Sequence, residues 1–175
     1  MKTLSFVALV TLVTVGTAAT AAAQEISPNA AIYRLETAVH STMLRDIGEL
    51  STAGILVDFG KAITTLGPMQ TSIVGEFAVH KFSGDYDPTY VQGAGGVRFG
   101  RATNHLRPFA QVMVGVQNEL GSAGMVLQPG AGLNIRTGTK IDARVQVDFP
   151  ILWWEGERYD QFRFSFGVGI PLAKN

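Results

Sequence analysis

The end of the chain alternates without a fault. In Gln161 to Leu172 the even positions, Phe162, Phe164, Phe166, Val168, Ile170 and Leu172, are all apolar. The odd ones, Gln161, Arg163, Ser165, Gly167, Gly169 and Pro171, are polar, small or turn-forming. A period of two sends the sets to opposite faces of one extended strand. The same pattern recurs backwards along the chain. Lys140 to Ile151 sets Ile141, Ala143, Val145, Val147, Phe149 and Ile151 against Lys140, Asp142, Arg144, Gln146, Asp148 and Pro150. Met125 to Arg136, Leu106 to Gln117, Thr89 to Gly100, Met69 to Phe82, Thr52 to Gly60 and Ile32 to His40 complete a predicted set of eight strands. Some positions break the alternation: Val74, Phe82, Phe109 and Met113 are apolar residues on the polar face.

The segments between strands read as turns and loops. Ser41 to Ser51, Ser83 to Pro88, Asn118 to Gly124 and Trp153 to Asp160 are predicted as polar or irregular loops. Lys61 to Pro68, Arg101 to His105 and Thr137 to Thr139 are predicted as the tighter set. Loops and turns therefore alternate along an antiparallel up-and-down meander. A strand of about ten residues, rising ~3.3 Å each and tilted by roughly 40°, covers about 25 Å, the height of a lipid-facing band.

The face opposite the apolar one is arginine-rich. It carries Arg34, Arg98, Arg107, Arg136, Arg144 and Arg163 together with Glu36, Asp58, Glu76, Asp142 and Asp148, with glycine and alanine between. A soluble exterior favours spread Lys and Glu. Arginine, with its planar fork, is the better partner for confined carboxylates. These residues are predicted to form a polar lumen network, with Arg144, Arg163 and Arg34 grouped because their strands are consecutive around a closed barrel. Phe162, Phe164, Phe166, Val145 and Val147 are predicted to face lipid, and Trp153, Trp154 and Tyr159 to form an interfacial aromatic patch.

Residues 1–23 stand apart: Lys2, the apolar Leu4 to Val15 and the small-residue run to Ala23 read as a cleaved secretory signal peptide. A short tail, 24–30, a barrel domain, 31–172, and a C-terminal tail, 173–175, would follow. With no cysteine and with acids and bases balanced at fourteen each, disulfides, thiolate metal sites and nucleic-acid binding have no support.

The pattern resembles the small eight-stranded outer-membrane β-barrels of the OmpA/OmpX type, the porin-like barrels of Gram-negative bacteria. It departs from them at Ile170-Pro171-Leu172-Ala173-Lys174-Asn175, where such proteins end on an aromatic residue. The resemblance implies an all-β, eight-stranded antiparallel up-and-down transmembrane β-barrel in the bacterial outer membrane. It further implies the lipid bilayer and the outer-membrane assembly machinery as partners, and an extracellular partner reached through the outer loops. The function expected is non-enzymatic, in envelope integrity or surface contact, with no catalytic residue, cofactor or metal. His40, beside Ser41 and near Glu36, and His80 are the groups nearest to a hydrolytic arrangement. No local signature of a lipid hydrolase accompanies them, and His105 is expected to be solvated. The competing expectation is a soluble exported barrel of lipocalin type, with the apolar face turned inward around a small apolar ligand.

Overall fold

Alternating segments separated by a few turn residues pair with their neighbours in sequence, and the pairing continues until the sheet meets itself. A computed structural model describes residues 33–46, 49–51, 53–66, 69–82, 89–101, 105–119, 121–137 and 141–174. The expected signal peptide and the tail 24–30 lie outside the described residues. The strands are β1 Tyr33–Asp46, β2 Glu49–Leu50, β3 Ala53–Leu66, β4 Met69–Lys81, β5 Thr89–Arg101, β6 Leu106–Glu119, β7 Ser122–Arg136, β8 Asp142–Asp148, β9 Ile151–Trp154, β10 Glu157–Asp160 and β11 Phe162–Lys174. Each long strand pairs antiparallel with the next. β11 joins both β8 and β1, through Phe166↔Val145 and Val39↔Val168, and closes the ring. The result is a closed eight-stave antiparallel barrel.

Two staves are composite. β8 and β9 form one line broken at Phe149-Pro150, and β10 and β11 another broken at Gln161. Pro150 has no N–H to offer the ladder and cannot sit within a central strand. The Phe149 N–H instead donates to the Pro129 carbonyl (2.9 Å) and the Gln161 N–H to the Pro150 carbonyl (2.8 Å), so the break is tied on both sides. Beyond it, β9 and β10 form a hairpin above the ring. Glu155 and Gly156 at its turn have φ of 54° and 84°, the pair of left-handed conformations that a two-residue type I′ hairpin requires.

Three predicted loops at this end prove to be hairpins. β1 runs through Ser41 to Asp46 and returns at once, with Asp46 opposite Glu49. Glu119 faces Ser122 across a two-residue turn, and Trp154 faces Glu157 across another. At the other end β3 runs on through Lys61 to Leu66, which stands opposite Met69, with a register shift between Ala62 and Thr64. The polar/apolar alternation fades in these stretches although the strand geometry continues. Past the apolar band the outward face no longer has to be apolar, and inside Leu44 is buried where polar residues stand lower down. β11 likewise continues to Lys174 beyond the expected boundary at 172.

The barrel's polarity is inverted relative to a soluble protein. Ile55, Phe59, Val114 and Phe166 point outward and are each more than half exposed. Arg144, Arg163, Asp58, Asp148 and Gln146 point inward and are almost wholly buried. A lipocalin-like barrel would show the opposite, so the expectation of an apolar, ligand-holding interior is not met.

Candidate functional site: the lumen

Period two brings side chains from every stave to the axis. Some meet as register partners on adjacent strands, Arg98 with Gln111, Arg144 with Asn134 and Arg163 with Asp148, and others meet across the axis from strands that are not neighbours. Two ion-pair clusters result. In the first, Arg144 donates from Nη1 to both oxygens of Asp58 (2.8 and 2.6 Å), from Nη2 to Glu36 (2.9 Å), and from Nε to Asn134. Arg98 reaches the same two carboxylates, Glu36 at 2.9 Å and Asp58 at 3.2 Å. His40 Nε2 lies 3.3 Å from Asp58. Arg107 pairs with Asp142. The Phe109 ring lies beneath Arg98 and Arg144, whose guanidinium carbons stand 4.6 and 5.5 Å from its centroid. Its negative face stabilises both cations where like charges crowd.

In the second cluster Arg163 holds Glu76 at 2.7 Å and Asp148 at 2.8 Å. Gln128 donates to Glu76 and accepts a hydrogen bond from Gln92, and Gln146 donates to Asp148 at 2.8 Å. Gln111 links the clusters: its carbonyl oxygen accepts from Arg98 Nε (3.0 Å) and its amide donates to Asp148 (3.2 Å). Charges this deep are tolerable only when paired and hydrogen-bonded. Glycine makes the room. A Cβ at Gly130 would collide with the Asp148 carboxylate, and one at Gly132 with the Phe109 ring.

Of the predicted lumen residues, the structure thus brings together Glu36, Asp58, Arg98 and Arg144 in one cluster and Glu76, Asp148 and Arg163 in the other, with Arg107 and Asp142 beside the first. Arg144 and Arg163, predicted as one group with Arg34, belong to different clusters. Arg34 lies in β1 with its side chain outside the described residues, and Arg136 is half-buried at the end of β7. Asn134, Gln111, Gln128 and Gln146, which the alternation places on the polar face of their strands, join the network as uncharged links between the charged groups.

Outside, Phe162, Phe166 and Val145 are exposed, and Phe164 and Val147 half-buried. Trp153, Trp154 and Tyr159 stand on the β9–β10 hairpin rather than in a loop. Trp154 Nε1 donates to Ser122 Oγ (2.7 Å) and Tyr159 Oη to Glu157 (2.9 Å).

The histidines do not assemble a hydrolytic site. His40 points inward and Ser41 outward, so the two cannot meet. His80 Nε2 lies 3.4 Å from Thr42 Oγ1, which accepts from Ser165 Oγ at 2.9 Å. All three side chains are sealed inside the barrel. His105 is exposed. Among the described residues no set of three His, Asp or Glu side chains is disposed to hold a metal ion.

Toward the end bearing the β9–β10 hairpin apolar residues join the buried polar ones, with Leu44, Leu56, Phe82, Val126 and Leu152 almost fully enclosed beside Ser51, His80 and Gln117. Phe82 stacks at a tilt on Tyr90, centroids 4.9 Å apart. At the opposite end a cleft of about 30 Å³ remains between Glu36, Ser72, Arg98, Arg107, Phe109 and Asn134.

No protein-family model and no curated protein matches the chain in sequence. Its fold does have solved counterparts. Neisserial surface protein A superposes with a TM-score of 0.60 at 8% identity, over 79% of this chain and 96% of that one. The outer-membrane enzyme PagL superposes with a TM-score of 0.54 at 14% identity, over 77% and 99%. The chain therefore has the fold of the small eight-stranded outer-membrane β-barrels.

Proposed function

We propose that this chain is a non-enzymatic component of the bacterial outer membrane, with a structural or surface-contact role in the envelope and no part in bulk diffusion. One observation carries the reading: an apolar exterior encloses a lumen whose charges are paired and whose far end is plugged. Eight staves enclose an interior that side chains can fill, whereas open aqueous channels need about sixteen. That PagL shares the fold and is an enzyme makes catalysis the reading to test. Against it, the His80–Thr42–Ser165 group is enclosed, with no face open to a lipid substrate. The tight hairpins leave 83–88 as the longest connection at the plugged end, which makes it the segment best suited to surface contact. Export would follow cleavage near Ala23, and insertion would use the outer-membrane assembly machinery.

Membrane fractionation tests the location. The protein should stay with detergent-extracted outer membrane, and release in osmotic-shock fluid would refute it. Planar-bilayer recording tests the plug. Purified monomer should show at most small, intermittent conductance, and steady porin-sized conductance would overturn the filled lumen.

A further inference from the structure

The wall of the barrel is not bonded evenly along its length. In an antiparallel sheet, residues that face each other as a hydrogen-bonded pair exchange two bonds, one in each direction. Where β8 gives way to β9, two such pairs stand side by side, and each contains a proline. Phe149 faces Pro129 of β7 and donates to its carbonyl (2.9 Å), but Pro129 has no N–H to return. Gln161 faces Pro150 and donates to its carbonyl (2.8 Å), and Pro150 has none to return either. Both rungs are halved at one level. Gln161 adds to the deficit: it is 3% exposed, and neither Nε2 nor Oε1 has a hydrogen-bond partner among the described residues.

Beyond this level the β9–β10 hairpin is held from one side. β9 pairs with β7 at Met125, Val126 and Leu127, and Trp154 Nε1 donates to Ser122 Oγ. Among the described residues β10 pairs with β9 alone, since β1 leaves the β11 ladder at Arg45↔Phe162 and turns back toward β2. β8, below the break, is paired on both sides. The hairpin nevertheless carries part of the closure. Leu152 points inward from β9, 3% exposed, and its Cδ1 and the Trp154 Cβ both pack over Gly124.

We propose that the β9–β10 hairpin is a hinged strap over the lumen. It bends at Phe149-Pro150 and Gln161, swings away from β7 and carries Leu152 out of the plug, and the brief openings of the barrel are its excursions. The inference rests on the plugged-lumen reading given above.

The prolines supply the test, because replacing them adds bonds instead of removing them. In hydrogen exchange of the full mature protein in lipid vesicles, residues 151–160 should exchange as one unit and faster than β8. Pro129→Ala and Pro150→Ala each supply a returning N–H. Each should slow exchange across the whole hairpin by about fivefold, the net worth of one hydrogen bond, and leave β8 unchanged. Openings in bilayer recordings of these variants should become rarer by the same factor. Met125 and Trp153 are exposed register partners in a chain without cysteine. A short thiol crosslink in Met125→Cys/Trp153→Cys should abolish the openings, and the same variant left uncrosslinked should keep them.

Hairpin amides that exchange no faster than those of β8, or at a rate indifferent to both alanines, overturn the hinge. Openings that are absent from wild type, or that persist after crosslinking, overturn its action as a gate. Steady porin-sized conductance in every variant refutes the plugged-lumen reading itself, and the proposal with it.

Discussion

The two ends of the lumen solve the same problem by different chemistry. From the terminal end to the middle of the barrel, carboxylates and guanidiniums fill the lumen, and each is kept there by partners on other staves: Arg144 bridges β8 to β1 and β3, and Arg163 bridges β11 to its neighbour β8 and to β4. Toward the hairpin end the plug is Leu44, Leu56, Phe82, Val126 and Leu152, which need no partner. The first arrangement is specific and intolerant, because removing one member leaves a charge stranded. The second is tolerant, because an apolar gap can partly close. The barrel therefore has a keyed section and a stoppered section, and the contrast can be measured.

The largest effect is expected in the keyed section. Arg163→Met removes the cation paired with both Glu76 and Asp148 and leaves two buried carboxylates uncompensated. The expected loss is roughly 3–5 kcal/mol of unfolding free energy, read from urea titration in lipid vesicles. Adding Glu76→Gln should recover part of it. A loss no larger than that of an exposed substitution would mean that water reaches the network, and the contrast between the two ends would collapse.

Next comes the outer wall, common to both sections. Phe166 is 53% exposed and pairs with Val145 and Ser41 in the middle of its strand. Phe166→Arg should cost roughly 2–4 kcal/mol if it lies near the midplane of the bilayer, whereas Phe166→Leu should be close to neutral in the same titration. Equal tolerance of the two would mean that this face meets water.

How much of this was legible in the sequence follows the same division. β8 and β11 follow from their residues almost position by position, because lipid outside and paired charge inside leave little freedom at either parity. Apolar residues on the polar face, Val74, Phe82, Phe109 and Met113, were visible as exceptions, and all four are buried inward. The hairpin-end strand extensions were not legible. In Ser41–Asp46 the inward Thr42 and Leu44 and the outward Ser41, Met43 and Arg45 mix polar and apolar on both faces, so strand geometry persists without a polarity signal. The pairing of the lumen charges was not legible either. Chain order grouped Arg144 with Arg163, but the tilt of the staves carries Arg144 across the axis to Asp58 and Glu36. Sequence shows which face a residue takes; the shape of the closed barrel decides whom it meets.

The stoppered section should respond more mildly. Leu152 is 3% exposed, and its Cδ1 packs over Gly124 in the space a side chain there would need. Leu152→Ala is expected near the low end of the roughly 2–5 kcal/mol typical of such truncations. The same variant should lengthen or multiply the brief openings in bilayer recordings, since it thins the plug without touching an ion pair. A conductance unchanged by Leu152→Ala but raised by Arg163→Met would move the barrier to the keyed section.

The smallest effect closes the comparison, because it uses the same pair chemistry outside the lumen. Arg158 and Asp160 sit on β10 with Nη2 to Oδ1 at 2.8 Å, a distance equal to that between Arg163 and Asp148. Their side chains are 57% and 61% exposed, whereas those of Arg163 and Asp148 are fully enclosed. Water screens the exposed pair and takes over the hydrogen bonds of whichever partner is left behind. Arg158→Met should therefore change unfolding free energy by less than about 1 kcal/mol, and any contribution should fade as salt is raised. The effect of Arg163→Met should persist in the same salt series, because the charges it strands lie beyond the reach of counterions. If both variants responded to salt alike, burial would not be what separates the two pairs, and the keyed lumen would be a wet one.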